Sequence, residues 1–363
     1  VINGNLTLAS GIFSINNTTA AARNITVYGN ITVESPGRII TGTGNARHQL
    51  NLYGDFTNNG EASFTNRTSA VYGSEAANGI VDVNFLSPDR NQSILCRGIT
   101  SFYRIEIDKG TDFTYILNID ATDTDYFRLY GFANEGHGAA SQLTENNNAL
   151  GLIRGTVRIG NNIDIPVLSQ NAGNYNISEA AQLWIDNGTV SKNSGTALVV
   201  YGKTRITGGT LNALIAGGIT FRENGIISIE GGILNASQIK TAAEGSGTNG
   251  GYVQTGGAVN VTGGTTDTDY YVFTLPYSSS VFNMSGGTLK VNTSTANGGI
   301  LIGSAPENYK VTGGSVIAET QSTQDFRITS TAPFWNFELR NSSAAARQFI
   351  LSEAQNIGPA NIS

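Results

Sequence analysis

Two short acidic segments are the first candidates for chemistry in this chain. Residues 122–127 and 266–271 carry nearly the same hexad, in which Thr-Asp-Thr-Asp is followed by two aromatic residues. Each hexad places two carboxylates at alternate positions, and Ca²⁺ is bound by several oxygen ligands of this kind. The hypothesis is a calcium site; the alternative is that Asp and Thr cap turns between strands. The candidate metal ligands are Asp123, Asp125, Asp267 and Asp269.

A cluster of aromatic residues is the second candidate. Four rings fall within eight positions around Pro276, and exposed aromatic rings offer flat apolar faces on which sugar rings stack. The alternative is that this segment folds down and its rings pack against the rest of the protein. The candidate ligand-binding residues are Tyr270, Tyr271, Phe273 and Tyr277.

A repeated glycine pair indicates the fold that must position these residues. The pair is followed each time by an alternating β-type run, and the first glycines are separated by steps of 23, 25, 30 and 27 residues. A period of this length is typical of a solenoid, whereas propeller blades need about 40 to 50 residues. Glycine suits the corners of such coils because it adopts positive φ without steric cost. The pairs begin at Gly208, Gly231, Gly256, Gly286 and Gly313.

A looser repeat near the start of the chain has the same period. A Gly-Asn-Leu-Thr type phrase begins at Gly4, returns at Gly29 and returns again at Gly54, so both steps are 25 residues. Short strands with scarce helix formers complete the pattern. We therefore predict an all-β protein, a right-handed parallel β-helix (β-solenoid) with coils of about 25 residues, the handedness following the rule for parallel crossovers. Within a coil, Leu211 and Ala213 should face inward.

Three segments interrupt the period and are predicted to be insertions: 133–149, 241–251 and 267–281. On a solenoid, insertions tend to collect on one face, often the binding face. The weakened period at 111–205 leaves two interpretations open, a decorated solenoid or a separate subdomain.

A longer repeat suggests the division of the chain. The phrase at 102–110 returns in similar form at 334–341, 232 residues later. We predict coils with Gly-Asn-Leu-Thr type repeats over 1–101, a β-helix with insertions and glycine pairs over 102–333, and a further repeat unit beginning at 334–363. Neither end carries a recognisable capping unit, so we expect a piece of a longer protein.

Composition restricts the function further. The net charge is −6 and there is no basic cluster, which argues against nucleic-acid binding. No run of eighteen apolar residues predicts a membrane span. The single cysteine, Cys96, is expected to be a small buried residue rather than a reactive thiol. The many Asn-x-Ser/Thr sequences are interpreted as part of the repeat, with stacked asparagines forming hydrogen-bonded ladders.

An enzymatic reading requires paired carboxylates on neighbouring coils. Asp82 with Asp108, and Asp82 with Glu106, roughly satisfy a one-coil spacing, and the only histidines are His48 and His137. None of these residues lies in a recognisable catalytic motif, so we expect no enzyme. A catalytic solenoid should show a groove lined by clustered charges; a structural one should show polar ladders without converging charges.

The combined phrases resemble a known class of proteins. The segments 4–8, 55–60 and 102–107, together with the glycine-pair repeats, are similar to very large repetitive surface proteins of Bacteroidota, including gliding-motility adhesins and other cargo of the type IX secretion system. The resemblance covers most of the chain but not the family's C-terminal sorting domain. It implies an extracellular, cell-surface location and offers no catalytic motif.

The expected function is therefore structural or adhesive, in a stalk or adhesin fibre. The resemblance implies surface glycans or other cell-surface and secretion-system proteins as partners, and no cofactor apart from the calcium of the hypothesis above. The alternative function is a carbohydrate-binding or polysaccharide-degrading β-helix.

Overall fold

The computed structural model of the chain describes most of its residues. Across them the protein is all-β, and its parallel strands stack as coils of roughly 25 residues in a β-solenoid. The predicted fold is confirmed, while its right-handedness stays a prediction. The described residues are 1–15, 21–44, 46–68, 79–131, 148–166, 168, 173–192, 195–222, 224–241, 250–263, 271–293, 299–321 and 325–351.

The chain divides into two compact units, Val1–Ser194 and Gly195–Ser363. The domain boundaries predicted after 101 and after 333 are not tested by this division and stay predictions. The 3₁₀ turn Pro306–Asn308 is the one helical element within the described residues.

In unit 1 the coils build three faces of parallel strands. The first face contains β1 (Leu6–Leu8), β4 (Ile31–Val33), β7 (Phe56–Asn58), β10 (Gln92–Cys96), β13 (Ile116–Ala121), β15 (Leu150–Ile159) and β18 (Ala181–Ile185). The second face contains β2 (Ile12–Ile15), β5 (Arg38–Thr41), β8 (Glu61–Ser63), β11 (Thr100–Phe102) and β14 (Phe127–Leu129). The third contains β3 (Asn24–Val27), β6 (Arg47–Leu52), β9 (Ile80–Phe85), β12 (Arg104–Asp108) and the start of β15. The remaining strands of unit 1 are β16 (Asp164–Ile165), β17 (Tyr175–Ile177) and β19 (Thr189–Ser191).

The core of unit 1 follows from the alternation of side chains along these strands. Phe56, Phe64, Phe102 and Phe127 are buried, and their ring centroids lie 5.3 to 6.0 Å apart. Burying one such side chain stabilises the fold by roughly 1.5 to 3 kcal/mol. Since β13, β15 and β18 continue the first face, the strands of the described parts of 111–192 favour the decorated solenoid over a separate subdomain.

Unit 2 is built in the same way. One face contains β20 (Leu198–Val200), β23 (Ile219–Phe221), β26 (Ile239–Thr241), β29 (Phe273–Leu275), β31 (Gly299–Ile302), β33 (Phe326–Ser330) and β35 (Phe349–Leu351). A second contains β21 (Lys203–Ile206), β24 (Ile226–Ile229) and β27 (Gly251–Gln254), and a third contains β22 (Thr210–Ala213), β25 (Ile233–Ala236), β28 (Ala258–Val261) and β34 (Asn336–Asn341). The long strands β30 (Val281–Thr293) and β32 (Tyr309–Thr320) take part in both of the last two faces.

The glycine pairs form the corners of unit 2, and the two glycines have different tasks. At Gly256 an added Cβ would lie 2.2 Å from the carbonyl oxygen of Glu230 on the neighbouring coil, so close stacking requires the absence of a side chain. Gly257 has a φ of +66°, a conformation that costs other residues about 1 to 2 kcal/mol. The second glycine of every pair shares this positive φ. The predicted role of the repeat is confirmed.

The inward rows of unit 2 follow the same register. Leu211 pairs with Leu234, and Leu234 pairs with Val259, all fully buried. Leu211 and Ala213 both face the core, as predicted.

One predicted insertion is partly wrong. The segment 267–281 contains the regular strand β29, whose Phe273 pairs with Ile239 and Ile300 on the neighbouring strands. Its aromatic side chains suggested a surface loop, whereas Phe273 and Leu275 alternate into the core. Most of the other two predicted insertions, 133–149 and 241–251, lies outside the described residues, which leave out 132–147 and 242–249.

Candidate functional site

A row of asparagines runs along the outer side of unit 2. Asn235 donates from Nδ2 to Asn212 Oδ1 at 2.8 Å, and Asn260 donates from Nδ2 to Asn235 Oδ1 at 2.9 Å. The three residues are in register on β22, β25 and β28. We call Asn212, Asn235 and Asn260 the asparagine ladder. It confirms the predicted hydrogen-bonded stacking for these three asparagines.

Unit 1 contains an amide pair of the same kind, in which Asn84 donates from Nδ2 to Asn51 Oδ1 at 2.9 Å, and it also uses Asn and Asp side chains at the coil corners. Asn5 Oδ1 accepts a hydrogen bond from the backbone N–H of Asn30 at 2.8 Å, and Asn30 Oδ1 accepts one from the N–H of Asp55 at 2.9 Å. Asp55 Oδ1 accepts from the N–H of Ser93 at 2.8 Å. Each side chain thus holds the corner of the next coil by a hydrogen bond, which explains why Asn or Asp follows the glycine of the repeated phrase.

The strongest concentration of charge lies on the third face of unit 1. Arg47 donates from Nε to Asp82 Oδ2 at 2.6 Å, and Arg104 donates from Nη2 to Glu106 Oε2 at 2.6 Å. Asp82 and Arg104 are opposite each other in the register of β9 and β12. We call Arg47, Asp82, Arg104 and Glu106 the charged cluster.

Strand alternation positions the charged cluster. Ile105 and Ile107 on β12 point into the core, so Arg104 and Glu106 between and beside them point outward. Asp82 and Arg104 are nevertheless only 3 % and 2 % exposed. Arg104 also donates from Nε to the carbonyl oxygen of Asn148.

Burial dominates the electrostatics of the charged cluster. It raises the pKa of the Asp82 carboxyl, and the nearby Arg47 and Arg104 oppose that shift. Because each carboxylate of the charged cluster contacts a guanidinium, its charges are matched in pairs. The arrangement suits fixing three neighbouring strands to one another better than it suits acid–base catalysis.

The carboxylate pairs considered for catalysis do not form an isolated dyad. Asp82 faces Arg104 rather than Glu106, which is opposite Asn84. Asp108 is bound by Arg154, whose Nε lies 2.6 Å from its Oδ1. Each of these carboxylates therefore contacts an arginine and not a second carboxylate. Sequence reasoning missed Arg47 because it lies 35 residues from Asp82, well beyond the coil period of about 25 residues.

Histidine offers no catalytic base in the described part of unit 1. His48 points inward, is 2 % exposed, and its Nδ1 accepts a hydrogen bond from the backbone N–H of Arg23 at 3.0 Å. Burial lowers its pKa. His137 lies outside the described residues.

The first acidic hexad forms a turn. Asp123 Oδ1 accepts a hydrogen bond from the backbone N–H of Asp125 at 3.0 Å, and the Asp123 carbonyl accepts from the N–H of Tyr126. The preceding Asp120 contacts Arg158 at 3.2 Å. This is the capping alternative, and no group of three or more His, Cys, Asp or Glu residues that could hold a metal occurs within the described residues. Asp267 and Asp269 lie outside them.

The aromatic candidates separate into different environments. The assignment of Phe273 to ligand binding is wrong, because its ring is fully buried 5.2 Å from that of Tyr252. The hydroxyl of Tyr271, which is half-buried, hydrogen-bonds to Thr329 Oγ1 at 3.0 Å. Tyr277 is half-buried beyond the other end of β29, and Tyr270 lies outside the described residues. Burial of its ring in the core thus removes Phe273 from any shared aromatic platform.

Two further titratable groups are buried in unit 1. Cys96 is fully buried, as predicted, and burial raises the pKa of its thiol to about 12. Lys109 donates from Nζ to Gln92 Oε1 at 2.6 Å, and burial lowers its pKa to about 8.

Comparison with known proteins adds no relative to these observations. No family model, no curated protein and no solved structure matches the chain. Among the described residues, the protein has no helix that is both long and apolar enough to cross a membrane.

Proposed function

We propose that this chain is a structural segment of a long extracellular cell-surface protein, acting in a stalk or adhesin fibre. The observation that carries the proposal is the stacking of like residues at equal positions of successive coils, in the asparagine ladder and the glycine corners. Such stacking extends a rigid rod by one strand spacing, about 4.8 Å, for each coil that is added.

The nature of the polar contacts supports this proposal over polysaccharide cleavage. Like amides satisfy one another along the ladder, and the carboxylates of the charged cluster are bound by arginines. The converging charges expected of an enzyme do occur on neighbouring coils, but they are buried and paired. The resemblance to repetitive Bacteroidota surface proteins of the type IX secretion system agrees with the same function.

The length of the native protein tests the proposal. Intact-mass measurement and peptide mapping of the purified native protein should reveal several thousand residues that repeat these phrases. Protease treatment of whole cells should release peptides of this segment while cytoplasmic control proteins stay intact. A native protein ending near 363 residues, or a segment protected in whole cells, would overturn the proposal.

A further inference from the structure

The corner between the third and first faces of unit 1 carries two tyrosine rings that none of the functions above uses. Tyr28 follows β3 and Tyr53 follows β6, and their ring centroids lie 4.8 Å apart with an angle of 29° between the planes. Tyr53 is half-buried, whereas Tyr28 is 50 % exposed. Since Tyr53 covers only one face of the Tyr28 ring, the opposite face is open to solvent.

The register of β3 and β6 explains why these rings lie outside the core. Val27 pairs with Leu52, and both are fully buried, so the tyrosines that follow them point outward. The interior is therefore filled without the tyrosines, and their stack is a contact on the surface of the coils. Because the stack ends in an exposed aromatic face, a flat apolar ring can extend it.

Four polar side chains lie on the same outward side as the rings, at alternate positions of the two strands. Asn24 pairs with Gln49 and Thr26 pairs with Asn51, so these residues form two rows across neighbouring coils. Asn24 and Gln49 are exposed, and the other two are half-buried. Within the described residues, the one hydrogen bond to these four side chains is donated by Asn84 Nδ2 to Asn51 Oδ1. Their remaining donors and acceptors can therefore bind a ligand.

Together the rings and the polar rows provide the groups that recognise a neutral sugar. An aromatic ring packs against the apolar face of a sugar ring, and amides and hydroxyls exchange hydrogen bonds with sugar hydroxyls. No member of this surface is charged, so an acidic sugar would find no ion pair in it. We call this surface the tyrosine strip; it comprises Asn24, Thr26, Tyr28, Gln49, Asn51 and Tyr53.

We propose that the tyrosine strip binds a neutral polysaccharide of flat, β-linked sugar rings. One sugar ring lies against the open face of Tyr28, and the polar rows bind the hydroxyls of that ring and its neighbours. The inference does not rest on the proposed fibre function and can hold or fail independently of it.

Isothermal titration calorimetry of the 363-residue chain with cellohexaose tests the inference, with β-1,4-linked hexaglucuronic acid as the acidic comparison probe. Cellohexaose should bind with a Kd in the millimolar range or below, and added sodium chloride should leave that Kd unchanged because no ion pair contributes to it. Hexaglucuronic acid should bind at least about tenfold more weakly, because the strip has no cation and the chain is negative overall.

Variants of the strip assign the binding to its residues. Tyr28→Ala removes the exposed ring and should weaken cellohexaose binding about tenfold, whereas Tyr28→Phe keeps the ring and should bind within about twofold of the unaltered chain. Gln49→Ala removes one exposed amide and should weaken binding roughly fivefold, the order expected for one hydrogen bond. Tyr126→Ala is the matched control, because it removes a half-buried tyrosine from a turn elsewhere in unit 1 and should leave the Kd unchanged.

Three results would overturn the inference. These are no binding of cellohexaose at millimolar concentrations, equal or tighter binding of hexaglucuronic acid, and equal losses in Tyr28→Ala and Tyr126→Ala. A thermal melt of each variant by circular dichroism ensures that only folded protein is compared. If Tyr28→Ala did not fold, Gln49→Ala at its exposed position would provide the comparison with Tyr126→Ala, and equal affinities of these two variants would overturn the inference as well.

Discussion

The charged cluster of unit 1 and the asparagine ladder of unit 2 solve the same problem in different ways. Both connect the outward polar positions of neighbouring coils. In the ladder, coils of nearly equal length bring like residues together, so neutral amides pair with one another. In the charged cluster, Arg47 contacts Asp82 on the neighbouring strand, 35 residues later, so opposite charges pair with one another.

The register between strands, and not the coil length alone, decides which side chains meet. Asn51 and Asn84 pair across the same long step that brings Asp82 to Arg47, and Arg205 pairs with Glu230 across 25 residues. A row can therefore combine like or unlike side chains in either unit. The three predictions that follow test this contrast, beginning with the largest expected effect.

Removing the carboxylate of Asp82 should be the most damaging change to the charged cluster. Asp82→Ala removes the buried carboxylate that contacts Arg47 and lies opposite the buried Arg104, which keeps Glu106 as its partner. Removing one partner of a buried pair costs about 3 to 5 kcal/mol. The free energy of unfolding from urea denaturation measures this. Asp108→Ala on β12 removes a carboxylate from a largely exposed pair and should cost under about 1 kcal/mol. If Asp82→Ala and Asp108→Ala lowered the free energy of unfolding equally, the charged cluster would contribute no more stability than a surface ion pair.

Replacing a corner glycine should disturb the equal coils of unit 2 somewhat less. Gly257→Ala places a side chain on a residue with a φ of +66° and a Cβ 2.6 Å from the carbonyl oxygen of Gly231. The expected loss in the free energy of unfolding is about 2 to 4 kcal/mol. Gly4→Ala is the control, because no atom lies within 4 Å of its added Cβ. If Gly257→Ala left the free energy of unfolding unchanged, the corners of the coils would not require glycine.

Interrupting the asparagine ladder should have the smallest effect. Asn235→Ala removes two ladder hydrogen bonds and should cost about 2 kcal/mol, whereas Asn260→Ala removes one and should cost about 1 kcal/mol. Urea denaturation of both variants provides the comparison. If Asn235→Ala lowered the free energy of unfolding no more than Asn260→Ala does, the row would not act as a ladder.

Much of the fold could be predicted from local pattern. The glycine pairs, the alternation at Leu211 and Ala213 and the 25-residue steps in unit 1 are all read from near neighbours, and the structure agrees with each. The candidate sites could be predicted far less well. Asp82 and Glu106 were chosen by spacing alone, and spacing does not reveal that Arg47 on the adjacent strand binds Asp82 or that Arg104 on the same strand binds Glu106.

The aromatic candidates show the same limit. Phe273 and Tyr271 are two residues apart, yet one ring is buried and the other is half-buried. A cluster of aromatic residues in the sequence does not show which rings are buried when the strand that carries them, here β29, has not been predicted.

The sequence by itself determined the parallel solenoid, its coil length and the glycine corners, because each coil repeats the same local conformational requirements. Only the tertiary structure decided which side chains meet across coils. That choice depends on the register between strands that are more than twenty residues apart, and a single extended coil changes it. The charged cluster therefore became visible only when the coils were stacked.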